Sequence, residues 1–223
     1  HSREIYMSVA NTAEADPLPS WNDGAAKRNI QTFVQSVTDQ KSPDFVPPPA
    51  RIAVFDNDGT LWCEHPSYVQ LAFGVDRVQA LAPEHPEWRT TQPFQAVLEN
   101  DPKGIGAAGL KGIVDLMVAT HQGMTSEEFD RIARDWFASA KHPRFNRPYT
   151  DLGYLPMVEV LGYLRANGFK TYIVSGGGIE FMRVIAEPMY GIPPEQVIGS
   201  SGKLKFELRD GVPAIFRLPE LEF

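Results

Sequence analysis

Apolar residues along this chain switch between two periods, and the switches mark its organisation. Residues 1–22 are polar and show no clear period. Ile30, Phe33, Val34 and Val37 then recur at helical spacing, with Asp23 placed to cap the helix they predict. The stretch Ser42-Pro43-Asp44-Phe45-Val46-Pro47-Pro48-Pro49 cannot continue that helix, because proline lacks an amide N–H and fixes φ. It leads into Arg51-Ile52-Ala53-Val54-Phe55, an apolar run of strand length followed at once by Asp56-Asn57-Asp58-Gly59-Thr60. The expectation is a buried strand that ends in a polar loop.

Residues 62–150 read as helical, without a β-rich run. Leu71, Ala72, Val75 and Val78 make one apolar face, and Leu110, Ile113, Val114 and Met117 make another. The clearest start is Thr125, which forms a capping-box pattern with Glu128 ahead of Phe129, Ile132, Ala133, Trp136 and Phe137. From Asp151 the pattern changes. Pro156 suits a first helical position; Met157, Val160, Leu161 and Leu164 follow, and Asn167-Gly168 closes the helix. Phe169 to Val174 predicts a second buried strand, which breaks at Ser175-Gly176-Gly177-Gly178 into a helix over Ile179 to Ala186. Strand, helix, strand, polar loop and helix is the order of a parallel α/β sheet. The alternation from Lys203 to Leu218 about Arg209-Asp210-Gly211 predicts a β-hairpin.

Composition adds a few boundaries. With 43% hydrophobic and 22% charged residues, the 223-residue chain matches an ordinary globular protein with a real core. Its net charge of -7, spread along the chain, argues against a nucleic-acid partner, which needs a concentrated basic face. A small phosphorylated substrate needs only a few local donors and stays open. No apolar run approaches the roughly 18 residues that span a bilayer, so no membrane partner is expected. One cysteine, Cys63, leaves no internal disulfide. The start at His1-Ser2 and the polar, Pro-containing leader lean toward an exported, periplasmic address over a cytoplasmic one. Oligomeric state is not readable.

Two loops carry candidate chemistry, and both follow strands at the end where open α/β sheets bind ligands. Asp56 and Asp58 can face one small site if the chain curls at Gly59. One carboxylate can attack phosphorus while the other, kept protonated, gives its proton to the leaving oxygen. A magnesium ion held by Asp56 and Asp58 would offset the repulsion between carboxylate and phosphate. In the second loop, the Ser175 hydroxyl and bare backbone at Gly176 stand before a helix N-terminus, which favours an anion. Taken singly, each loop is an ordinary turn composition; it is the pair, about 115 residues apart with helices between, that points to a site.

The run Ile52-Ala53-Val54-Phe55-Asp56-Asn57-Asp58-Gly59-Thr60-Leu61 resembles the first signature of the haloacid dehalogenase-like (HAD) hydrolase superfamily. Tyr172-Ile173-Val174-Ser175-Gly176-Gly177 resembles its second. The resemblance implies an α/β fold with a Rossmann-like parallel sheet core over 51–61 and 151–223, preceded by a lead-in over 1–50. The insertion over 62–150 resembles the helical cap of the phosphoserine-phosphatase-like branch. It implies Asp56 as nucleophile, Asp58 as acid and base, Gly59, Thr60, Ser175 and Gly176 around the phosphate, and Mg2+ as cofactor. An acid at position 58 separates phosphatases and phosphomutases from the dehalogenases. The resemblance also implies a bridging lysine and a later acidic loop. No residue before Phe223 is read in those roles, since Lys203 and Lys205 fall in the hairpin. Either more chain is expected after Phe223 or this copy lacks those groups. The function expected is magnesium-dependent hydrolysis of a small phosphomonoester, with a phosphomutase or a non-catalytic phosphate-binding remnant as alternatives.

Weaker candidates surround these loops. Glu64 and His65 could read the substrate, against a solvated or capping role. Trp62 and Tyr68 could line a pocket, though packing is the commoner use. Arg144, Arg147 and Tyr149 could recognise an anionic group, against ordinary surface charge. His85, His121 and His142 lack metal-ligand spacing and are read as structural or exposed, and Cys63 as packing.

Overall fold

The computed structural model describes residues 16–222, so most of the polar opening stretch lies outside the described residues. Three strands run parallel in chain order: β1 (Ile52–Phe55), β2 (Lys170–Gly178) and the first part of β3 (Val197–Arg209). Phe55 pairs with Ile173, and Ile173 with Val197. β3 continues past this pairing and turns at Asp210-Gly211 into the antiparallel β4 (Val212–Glu222). Asp210 (φ 52°) and Gly211 (φ 78°) both adopt left-handed backbone, as a two-residue turn with hairpin twist requires. The hairpin read from the sequence is therefore present, as the extension of a sheet strand.

Helix α1 (Ala25–Thr38) precedes β1, and α7 (Leu155–Ala166) leads into β2. Leu18, Val34 and Val37 pack with Val160, Leu164 and Phe169 against Ala53 and Phe55. Helix α8 (Ile179–Tyr190) joins β2 to β3. Strand order advances in one direction at both crossovers, and right-handed crossovers then place α7 and α8 on the same side of the sheet. This corrects the expectation of fully buried strands. Ile52 (56% exposed), Val54 (59%), Val174 (42%) and Ile198 (51%) point to the other face, which nothing among the described residues covers.

Between β1 and α7 the described chain forms α2 (Val69–Leu81), the short α3 (Phe94–Leu98) and α4 (Pro102–Ala107), α5 (Gly109–His121) and α6 (Ser126–Ser139). The capping box is made: Thr125 accepts from the Glu128 N–H at 3.1 Å, and Glu128 accepts from the Thr125 N–H at 2.8 Å. Phe73 of α2, Phe129 and Phe137 of α6 and Phe181 of α8 form one aromatic cluster, with Phe73–Phe181 centroids 5.1 Å apart. Such pairs add about 0.5–1.5 kcal/mol each beyond burial, and they tie the inserted helices to the helix that follows the Ser175 segment. The hairpin ties them again, because Arg217 exchanges backbone hydrogen bonds with Gly123 and Met124 at 3.0 Å each.

Several boundaries differ from the sequence reading. The α1 cap is Gly24; Asp23 instead reaches Lys27 at 3.2 Å, and Phe33 (57% exposed) lies off the buried stripe. On α5 the buried line runs through Gly112, Leu116 and Thr120, leaving Leu110 74% exposed. α8 continues past Pro188 to Tyr190, where Gly191 (φ 67°) closes it. Residues Ser175–Gly178, expected as a loop, extend β2, with its pairing to β3 slipping between Val174 and Gly178.

Candidate active site

The pairing of Phe55 with Ile173 sets the next residues side by side at the carboxyl end of the parallel strands. Asp56 follows β1 at the level of Val174, and Ser175 lies one residue further along the neighbouring strand. The structure thus brings together the two segments that the sequence separates.

The first loop winds around one carbonyl. Asn57 O accepts from Leu61 N–H at 2.8 Å and Thr60 N–H at 3.2 Å, while Gly59 N–H donates to Trp62 O at 3.0 Å. Gly59 takes φ +70°, and a Cβ there would stand 2.7 Å from Glu64 Cδ, so only glycine fits the turn. The Glu64 carboxylate, folded over Gly59, adds a third acidic group to the loop.

Asp56 and Asp58 differ sharply in environment. Asp56 is exposed, and its Oδ1 accepts from the Asn57 N–H at 2.7 Å. Asp58 is half-buried, and its Oδ1 accepts from Trp62 Nε1 at 2.8 Å. Burial raises the Asp58 pKa above the usual carboxylate value; the Trp62 hydrogen bond opposes this, and the charges of Asp56 and Glu64 reinforce it. A carboxyl in that state is suited to hold a proton and to give it up on demand.

In the second segment Gly177 N–H donates to Ser175 Oγ at 3.3 Å, which leaves the Ser175 proton free to donate elsewhere. Ser200 Oγ donates to Gly176 O at 2.9 Å. Gly178 N–H donates to Oε1 of Gln70, on the first turn of α2, at 2.7 Å. Nothing lies within 4 Å of where a Cβ on Gly176 would stand, so the approach to that backbone is open.

The weaker candidates separate. Glu64 and His65 stay at the loop, 3.8 Å apart, while Tyr68 is 53% exposed. Trp62 is 1% exposed, and its indole serves Asp58 rather than a pocket wall. Arg144, Arg147 and Tyr149 do not converge: Arg144 lies over Phe145, Arg147 faces Asp151 at 3.6 Å, and Tyr149 is buried against Trp136. His142 is buried with Nε2 2.6 Å from His65 O, His85 contacts Glu87, and His121 is buried beside Phe73. Cys63 Sγ donates to His65 O at 3.4 Å. Sequence reasoning missed two partners, Trp62 for Asp58 and Gln70 for Gly178. The first sits at i+4 within a wound loop, a spacing that could have suggested it; the second, 108 residues from its partner, left no signal.

Comparison with known proteins decides the family. The profile of haloacid dehalogenase-like hydrolases matches residues 53–214, most of the described chain. The chain belongs to this family. No curated protein matches the sequence. Among solved structures, a conserved protein of unknown function from Anaerococcus prevotii aligns at TM-score 0.51 and 15% identity, covering 88% of this chain and 71% of that one. A phosphoserine phosphohydrolase-like protein from Francisella tularensis aligns at TM-score 0.39 and 18% identity, covering 77% of this chain and 64% of that one. A protein of unknown function from Bordetella pertussis aligns at TM-score 0.46 and 20% identity, covering 77% and 66%. The α/β fold with a mostly parallel sheet is the HAD fold, and the loop after β1 and the end of β2, at its carboxyl edge, are the places where the HAD signatures read from the sequence fall.

Proposed function

We propose that this chain is the phosphoryl-transfer part of a magnesium-dependent phosphomonoesterase that acts on a small phosphorylated molecule through an aspartyl-phosphate. The observation that carries the reading is the unlike state of two neighbouring carboxyls: Asp56 is exposed, and Asp58 is half-buried with its pKa pushed up by burial. One suits attack and the other suits proton transfer.

In the first half-reaction a carboxylate oxygen of Asp56 forms a bond to phosphorus as the ester P–O bond breaks, and the departing oxygen takes the Asp58 proton. In the second, Asp58, now a carboxylate, takes a proton from water. The water oxygen bonds to phosphorus, the Asp56–phosphorus bond breaks, and inorganic phosphate leaves with both carboxyls restored. Ser175 Oγ and the backbone N–H of Gly176 would hold the phosphate oxygens, while Gly59 and Thr60, whose N–H groups are engaged by Trp62 O and Asn57 O, would shape the loop beside it. Asp56, Asp58 and the nearby Glu64 bring acidic oxygen donors to one loop, where a magnesium ion would be held by Asp56 and Asp58. Among the described residues no cluster of three or more ligating side chains completes that site. Bound magnesium would supply charge neutralisation that lets Asp56 approach the phosphate. The helices between β1 and α7 would act as a cap that excludes water.

The test is turnover of p-nitrophenyl phosphate with and without Mg2+, in the wild type and in Asp56→Asn. Magnesium-dependent release of phosphate that Asp56→Asn abolishes is the expected result. Substantial activity in that variant would overturn the assignment. Transfer of label to a sugar instead of water would mark a phosphomutase, and phosphate binding without product a non-catalytic module.

A further inference from the structure

The segment Ser175–Gly178 has few fixed points of its own. The pairing of β2 with β3 slips after Val174 and resumes at Gly178, opposite Ser200, so the regular register is interrupted across Ser175–Gly177. Gly177 N–H turns inward to Ser175 Oγ, and Ser200 Oγ holds Gly176 O. A further tie comes from outside the sheet. Gln70 Oε1 accepts the Gly178 N–H at 2.7 Å, the shortest of the three bonds. Gln70 approaches so closely that a Cβ on Gly178 would stand 2.5 Å from Gln70 Nε2, and one on Gly177 would stand 3.5 Å from Gln70 Oε1. A side chain at Gly178 would therefore push Gln70 out of this contact, whereas Gly177 leaves ordinary room beside it.

Gln70 is itself well placed to act as a strut. It is the second residue of α2, beside the buried Val69, and the next turn inserts Phe73 into the aromatic cluster with Phe181 of α8. The α2 end that carries Gln70 follows the Asp56–Thr60 loop in the chain. One side chain thus bridges the inserted helices and the segment beside Asp56.

We propose that Gln70 is a positioning residue for the phosphate seat. By accepting the Gly178 N–H, it keeps Ser175–Gly178 in the shape that offers Ser175 Oγ and Gly176 N–H to a phosphate beside Asp56. Docking of α2 and binding of phosphate are coupled through this bond. The proposal rests on the phosphomonoesterase reading for its ligand, but the bond itself is open to an independent test.

Two substitutions separate the roles. Gln70→Met keeps the side-chain length and removes the acceptor; Gln70→Glu keeps an acceptor oxygen. Hydrogen–deuterium exchange at the Gly178 amide should be about tenfold faster in Gln70→Met and unchanged in Gln70→Glu, at equal thermal midpoints. With p-nitrophenyl phosphate, Gln70→Met should raise KM and the inhibition constant for inorganic phosphate about tenfold while kcat stays within about threefold. Gly178→Ala, which displaces Gln70, should reproduce the same KM effect. Unchanged Gly178 exchange in Gln70→Met overturns the proposal, as does faster exchange with unchanged KM and phosphate inhibition. If the wild type neither turns over nor binds phosphate while the exchange difference persists, it is the phosphomonoesterase reading that fails, and the coupling to phosphate with it.

Discussion

His121 ends α5 with its ring stacked on Phe73 at 5.7 Å and edge-on to Phe129 at 4.7 Å, and only 7% of the residue meets solvent. Its Nε2 is buried without a hydrogen-bond partner. Burial, reinforced by the charges of Arg217 and Arg77, lowers its pKa to about 3, so the folded protein holds a neutral imidazole. In the unfolded chain the same ring takes a proton near pH 6.5. Between these values the unfolded state binds one proton more, so the contribution of this ring to stability is intact above pH 6.5 and is lost as pH falls toward 3. One proton is worth about 1.4 kcal/mol per pH unit once the unfolded ring is fully protonated, so lowering the pH from 7.5 to 4.5 should cost about 2.7 kcal/mol through His121 alone. His121→Phe keeps a flat ring between Phe73 and Phe129 and removes the titration. Urea unfolding of both proteins from pH 7.5 to 4.5 measures the difference, in which the carboxylates common to both cancel. The variant should gain on the wild type by about 2.7 kcal/mol across that range. A gap that does not change with pH would refute the argument, whichever protein is more stable at neutral pH.

Three further outcomes follow from single contacts. Trp62→Phe removes the hydrogen bond that holds the Asp58 pKa down, so the basic limb of the pH–rate profile should move to higher pH; an unmoved limb would separate the indole from the Asp58 proton. Gly59→Ala places a side chain at φ +70° and against Glu64, and should destabilise by more than about 1 kcal/mol with loss of turnover, read by thermal melting and phosphate release. Leu161→Ala opens a hole at a fully buried position of α7 and should cost about 2–5 kcal/mol in urea unfolding, with a smaller loss meaning that the neighbours collapse into the space.

Much of the local structure was already written in the chain. The capping box at Thr125 and Glu128, the helix end at Gly168 and the turn at Asp210-Gly211 are set by side chains or backbone freedom within a few residues, and all three are present. The candidate site was legible for the same reason: Asp56, Asp58, Gly59 and Ser175 each follow a strand-length apolar run, and a parallel sheet brings such ends to one edge. Burial was harder to read. An apolar strand looks the same whether one or both faces are covered, and only the shared hand of the two crossovers left Ile52, Val54, Val174 and Ile198 on a face that no described residue covers. The partners of the site were decided by tertiary structure alone. Which residue accepts the Gly178 N–H depends on where α2 docks, and the state of the Asp58 proton depends on the burial and the indole that surround it. Spacing along a chain determines which groups can share an edge or a face; the distances and desolvation that set their chemistry exist only once distant segments have packed together.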